Sequence, residues 1–217
     1  MDKEIVKRIL SSIILIPVIL LIIIKGSIFF HLFLVICFFI ISFEWYKISK
    51  KKVYFYLGII FLIYSFYTIY NLYYHKDSYL NLLFVLLICV STDIGGYIFG
   101  KFFKGPKLTE ISPNKTFSGS IGSYLTSFIS TYFFLNILNN AGFDLFISEF
   151  IIYVFLISTV SQIGDILISY FKRLSNIKNT GKIIPGHGGI LDRVDGMIFA
   201  FPFAYLLLSM NIVNFIK

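Results

Sequence analysis

The chain has 217 residues, of which 58% are hydrophobic and only 14% charged, with a formal net charge of +8. Soluble domains carry about 25% charged residues, and a water-soluble fold of this composition would expose a large apolar surface. Composition therefore excludes an ordinary soluble domain and predicts an all-α, polytopic membrane protein.

Apolar runs of membrane-spanning length predict seven helices, at 9–24, 27–43, 53–70, 79–99, 118–138, 145–168 and 196–216. The first follows Lys7 and Arg8, as a signal peptide would. No small-residue cleavage site comes after it, and Lys25-Gly26 leads into the next apolar run, so it is read as a retained helix. Cys37 and Cys89 lie singly inside apolar runs, without disulfide or metal spacing. No Pro-rich or Ser-rich linker and no internal repeat divides residues 1–217, so a single membrane domain is expected.

Charge sets the orientation. With a cytoplasmic N-terminus, sixteen of the nineteen Lys and Arg residues fall in cytoplasmic segments, leaving only Lys25, Lys76 and Lys217 outside. Lys47 and Lys50 to Lys52 need no further explanation than topology and attraction to anionic lipid. Nucleic acid is not an expected partner.

Two carboxylates fall inside predicted spans, where insertion of Asp costs roughly 2.5–3.5 kcal/mol and a functional role is the default hypothesis. Asp93, in Ser91-Thr92-Asp93-Ile94-Gly95-Gly96-Tyr97, lies near the cytoplasmic end of the fourth span. Asp165, in Ser161-Gln162-Ile163-Gly164-Asp165, lies near the cytoplasmic end of the sixth. A structural alternative has each bonded to a Ser, Thr or Gln of a neighbouring helix. After the fourth span comes Ser112-Pro113-Asn114-Lys115-Thr116-Phe117-Ser118-Gly119. Its ammonium, hydroxyls and accessible N–H groups at a helix start suit phosphate, although capping of the helix by Ser or Thr accounts for part of the pattern. The glycine spacing of a Walker P-loop is absent.

The segment from Ser169 to Asp195 is richest in chemistry. Lys172, Arg173 and Lys178 precede Pro185-Gly186-His187-Gly188-Gly189, and Asp192-Arg193-Val194-Asp195 follows. Glycines around His187 allow the backbone a close approach. Asp192 and Asp195 stand three apart, on one face if a helix starts just before them. Hard oxygen ligands without cysteine, amid Lys172, Arg173, Lys178, Lys182 and Arg193, suggest Mg²⁺ carrying phosphates, with Asp165 able to join from the preceding span. The alternative is that Asp192 caps the last helix and Arg193 pairs with a carboxylate. His187 fits a backbone-bonded loop position as well as proton transfer, so it receives no acid–base role.

Ser169-x-x-Lys172-Arg173, Lys178 and Pro185-Gly186-His187-Gly188-Gly189-x-x-Asp192-Arg193-x-Asp195 together resemble the signature of the phosphatidate cytidylyltransferases, the CDP-diacylglycerol synthases. Asp93-x-Gly95-x-Tyr97, Ser112-Pro113-x-Lys115-Thr116 and Gly164-Asp165 resemble that family in the same order. The likeness runs from about Asp93 onward; before it, Glu44-Trp45 alone is recognisable. Two features depart from the family. The stretch between Trp45 and Asp93 is short by about two spans, and Asn179 stands where the family usually has Asp.

The resemblance implies that CTP and phosphatidic acid give CDP-diacylglycerol and pyrophosphate at the cytoplasmic face of a bacterial-type inner membrane. Asp165, Asp192 and Asp195 would hold Mg²⁺, with Lys172 on phosphate. Arg173, Lys178, His187 and Arg193 would complete the catalytic segment, and Asp93, Lys115, Thr116 and Ser118 would serve the nucleotide. Membrane lipid is a partner on this reading, and a homodimer is compatible with it. A CDP-alcohol phosphotransferase is disfavoured because its spaced Asp pattern is missing. An ion-coupled transporter would not need the Pro-Gly-His-Gly-Gly loop beside a basic cluster.

The orientation is directly testable. Cysteines introduced at Lys104 and Asn179 should react with an impermeant thiol reagent only from the cytoplasmic side, and one at Asp144 only from outside. Opposite labelling of positions 104 and 179 would break the shared face.

Overall fold

The computed structural model describes residues 15–49, 52–75, 79–113, 115–139, 147–181, 183 and 188–210. Its helices are α1 (Leu15–Lys25), α2 (Ser27–Ser49), α3 (Tyr54–Tyr74), α4 (Leu80–Phe103), α5 (Phe117–Asn139), α6 (Ile147–Leu174), the single turn α7 (Leu191–Val194) and α8 (Met197–Ser209). Among the described residues there is no strand; an isolated antiparallel bridge joins Lys107 and Thr116 in the α4–α5 connection. The all-α expectation holds.

Among the described residues, four stretches are long and apolar enough to cross a bilayer: α2, α3, α4 and the Glu149–Leu174 part of α6. α1 and α8 are apolar but shorter. α5 has 23 residues and is richer in Ser, Thr and Gly. Many large apolar side chains point outward, as lipid-facing surfaces require; Phe39 on α2 is 67% exposed.

Contacts divide the chain into two units. One comprises Met1–Phe66 and Phe171–Asp195, the other Tyr67–Tyr170 and Gly196–Lys217.

In the first unit, α2 runs six residues beyond the predicted end at 43. It continues because Glu44, Trp45, Ile48 and Ser49 share a buried face, while Tyr46 and Lys47 turn outward. Trp45 is the hub. Its ring lies edge-on to Phe171 and Tyr54, and its indole N–H donates to the Phe55 carbonyl at 3.2 Å. The last turn of α6 is tied to the same place. Ser175 Oγ donates to the Ile48 carbonyl, and Lys52 Nζ donates to the Leu174 carbonyl at 3.3 Å.

α6 ends in a Schellman motif. Ile177 N–H donates to the Lys172 carbonyl and Asn176 N–H to the Arg173 carbonyl, both at 3.0 Å, with Asn176 left-handed at φ 55°. Asn tolerates that conformation better than most side chains. The turn follows directly on Lys172 and Arg173 and leads into the segment that holds the family-like motif.

In the second unit, α4 and α5 pack along a seam of glycine and hydroxyl residues. A Cβ built on Gly95 would lie 1.9 Å from Thr126 Oγ1 and 2.5 Å from the Gly122 carbonyl. Ser123 Oγ donates to the Thr92 carbonyl at 2.7 Å, Thr126 Oγ1 to the Ser91 carbonyl at 2.8 Å, and Ser130 Oγ to Ser91 Oγ at 2.7 Å. Thr92 Oγ1 continues the seam to Ser158 Oγ on α6 at 2.9 Å. Lipid tails are as apolar as leucine, so helices in a bilayer associate through such close approach and polar contact.

Gly95→Val should therefore force α4 from α5 and destabilise the protein by about 1–3 kcal/mol. A lowered thermal-unfolding midpoint in detergent would show this; an unchanged midpoint would mean the seam does not constrain the helices.

Candidate active site

The segment after α6 is organised around two carboxylates. Glu44, on α2, is 1% exposed. One of its oxygens accepts the Ile190 N–H at 3.1 Å. The other accepts the Leu191 N–H at 2.8 Å and the Thr180 hydroxyl at 2.9 Å. The second carboxylate is Asp192. Its Oδ2 accepts the N–H groups of Thr180 at 2.8 Å and Gly189 at 3.0 Å, while Oδ1 faces Lys172 Nζ at 3.1 Å.

Thr180 thus belongs to both: its hydroxyl is on Glu44 and its amide is on Asp192. This crowding requires glycine. A Cβ on Gly189 would meet Thr180 Oγ1 at 2.1 Å and Glu44 Oε2 at 2.5 Å. One on Gly188, which has φ +87°, would meet Asp192 Oδ2 at 2.7 Å.

Asp195 ends the α7 turn and lies 3.5 Å from Lys172 Nζ through Oδ2. Asp192 and Asp195 therefore share a face, as their spacing predicted, and both converge on one ammonium nitrogen. Among the described residues no three carboxylate, imidazole or thiol groups gather as one metal site. Two carboxylates around one cationic centre nevertheless suit Mg²⁺, which is often held by one or two carboxylates and completed by water and phosphate. The donor set fits that ion. Oδ2 of Asp192, fixed by two backbone amides, orients the carboxylate and leaves Oδ1 facing the cationic nitrogen.

Arg173 and Lys178 are exposed beside this cluster in the chain, as is Arg193 on α7. Asn179 lies against Gly188, so a Cβ there would come within 3.5 Å of the Asn179 Cβ. His187 lies outside the described residues.

In the second unit the structure joins Lys115 to Asp165. Nζ is 2.5 Å from Oδ2 and also donates to the Gln162 carbonyl at 3.4 Å. Ser169 Oγ lies 3.4 Å from the other Asp165 oxygen, and Ser120 Oγ donates to Gln162 Oε1 at 2.6 Å. The two predicted hydroxyls have structural work. Thr116 caps α5 by accepting the Gly119 N–H at 3.1 Å, and Ser118 donates to the Lys104 carbonyl at 2.6 Å. Asp93 is exposed on α4.

Sequence reasoning recognised Glu44 beside Trp45 but gave it no role in the site. Ending the second span at 43 placed it outside the helix, beside the lysine run. A carboxylate inside an apolar helix is the signal that singled out Asp93 and Asp165, and one more turn of helix would have singled out Glu44 as well.

The family model described as the cytidylyltransferase family matches residues 6–79 and, in an overlapping second segment, 54–211. The chain is similar to the phosphatidate cytidylyltransferase of Staphylococcus haemolyticus, 39% identical over 61% of this chain and 50% of the relative. It is also similar to those of Rickettsia bellii, 34% identical over 92% of this chain and 89% of the relative, and Rickettsia felis, 33% identical over 95% and 93%. The matched region thus spans half of the staphylococcal protein and most of each rickettsial one.

Proposed function

The chain belongs to the cytidylyltransferase family, and from that premise we propose that it is a phosphatidate cytidylyltransferase of phospholipid biosynthesis. A phosphate oxygen of phosphatidic acid attacks the α-phosphorus of CTP. The bond from that phosphorus to the bridging oxygen breaks, giving CDP-diacylglycerol and pyrophosphate. The nucleophile is already anionic at neutral pH, so no strong base is needed. The difficulty is bringing two polyanions together and stabilising the departing charge.

The observation that carries this reading is the convergence of Asp192 and Asp195 on Lys172 within a segment anchored by backbone amides. Mg²⁺ held by Asp192 and Asp195 would supply neutralising charge to the phosphates. Lys172 lies beside that position and is suited to a phosphate oxygen. Arg173, Lys178 and Arg193 add positive charge from the same segment. Lys115 is held by Asp165 on the nucleotide side of the family-like motifs, where Asp93, Thr116 and Ser118 also belong. The cytoplasmic face of a bacterial inner membrane suits this reaction, in which a water-soluble triphosphate meets a lipid headgroup.

Purified protein in detergent, given labelled CTP, phosphatidate and Mg²⁺, should form labelled lipid and pyrophosphate in equal amounts. Asp192→Asn and Asp195→Asn should each lower turnover more than about a hundredfold, because a neutral amide is a poor ligand for a hard cation. Near-natural activity in either at limiting Mg²⁺ would make that residue a structural cap. Asn179 retains an oxygen acceptor in place of the family's usual carboxylate, so Asn179→Asp should change the rate by less than about tenfold, or roughly 1.4 kcal/mol. An inactive natural protein that Asn179→Asp restores would contradict the proposal that this chain is itself a working enzyme.

A further inference from the structure

Glu44 lies on α2, in the Glu44-Trp45 pair far before the signature segment, yet its carboxylate reaches residues on both sides of that segment's glycine loop. Thr180 is on the near side; Ile190 and Leu191 are on the far side. Among the described residues no cation pairs with it, and these three groups are its donors. Buried polar groups without partners are costly, which makes this arrangement a constraint on the loop as much as on Glu44. The Thr180 amide and Gly189 amide then point at Asp192 Oδ2.

We infer that Glu44 is a positioning residue for the cation site: it fixes Thr180 and the Gly189–Leu191 backbone where two amides hold Asp192 and leave its other oxygen facing the cation position. Glu44 touches no reacting atom. It acts through Thr180 and the α7 turn, and its effect is on how well Asp192 presents a ligand oxygen. This inference rests on the proposed metal-dependent reaction, and it makes a separate prediction about metal affinity in the absence of substrates.

The two ends of the contact can be altered independently. Glu44→Gln places an amide donor where the carboxylate accepted a donor. Thr180→Val keeps the amide on Asp192 and removes only the hydroxyl that reaches Glu44. Thr180→Ser restores that hydroxyl.

The test is Mn²⁺ binding to the full-length protein in detergent without CTP or lipid, followed by the loss of the free Mn²⁺ electron paramagnetic resonance signal. Turnover is then measured against Mg²⁺ concentration. Glu44→Gln and Thr180→Val should each weaken Mn²⁺ binding by tenfold or more and raise the Mg²⁺ concentration for half-maximal rate in proportion. The rate at saturating Mg²⁺ should stay within about threefold of natural, since only presentation of the ligand is lost. Thr180→Ser should recover natural binding.

Should Glu44→Gln fail to fold, Thr180→Val and its serine counterpart decide the matter, because valine is nearly isosteric with threonine. Natural Mn²⁺ affinity in Thr180→Val would overturn the inference. So would a reduced rate at saturating Mg²⁺ with unchanged affinity, or a natural protein that binds no Mn²⁺. Natural protein that binds Mn²⁺ and loses affinity in the variants, yet forms no CDP-lipid, would sink the proposed reaction and leave the positioning role standing.

Discussion

A carboxylate set into an apolar helix must find donors, and Glu44 finds all three of its described donors in one loop. Hydrogen bonds to a charged group contribute about 1.5–3 kcal/mol each, and losing a partner in a buried place costs the desolvation of whatever is left. That asymmetry makes the contact a specification of shape. Thr180, Ile190 and Leu191 can all reach Glu44 in few arrangements, and the observed one points the Thr180 and Gly189 amides at Asp192. Gly188 and Gly189 are consequences of the same constraint, since side chains there would collide with Asp192, Thr180 or Glu44.

Glu44 is itself located by aromatic packing. Trp45, the next residue, lies against Tyr54 and Phe171, and the indole occupies the space that a Cβ on Gly58 would need. Ser175 and Lys52 add contacts that tie the end of α6 to this neighbourhood. The second unit holds its helices by different means, with small residues letting α4 and α5 approach and hydroxyls bonding across the gap. There the charged pair Lys115–Asp165 sits among neutral polar groups, Gln162, Ser120 and Ser169.

The apolar runs made the helical class and the approximate placement of its segments legible, because membrane length and hydropathy are local properties of sequence. The Asp192–Asp195 spacing was legible for the same reason: three residues along a helical turn bring side chains to one face. Lys115 and Asp165 were both identified, but their pairing was not, since residues fifty positions apart meet only through tertiary packing. Thr116 and Ser118 read as phosphate donors because capping and anion binding use identical chemistry at a helix start; the structure gives them backbone partners. The buried role of Glu44 was hidden by the lysines that follow it. A charge run reads as a loop, whereas α2 carries Lys47 on its outer face and keeps Glu44 inside.

If Asp192 and Asp195 hold the cation as proposed, iron-directed cleavage maps that position directly. Fe²⁺ substituted for Mg²⁺ in the detergent-solubilised protein, with ascorbate and peroxide, cuts the backbone closest to the bound metal. Mass spectrometry of the fragments should place the cuts within residues 172–195, and added Mg²⁺ should suppress them. Cuts clustered elsewhere, or unaffected by Mg²⁺, would contradict that assignment.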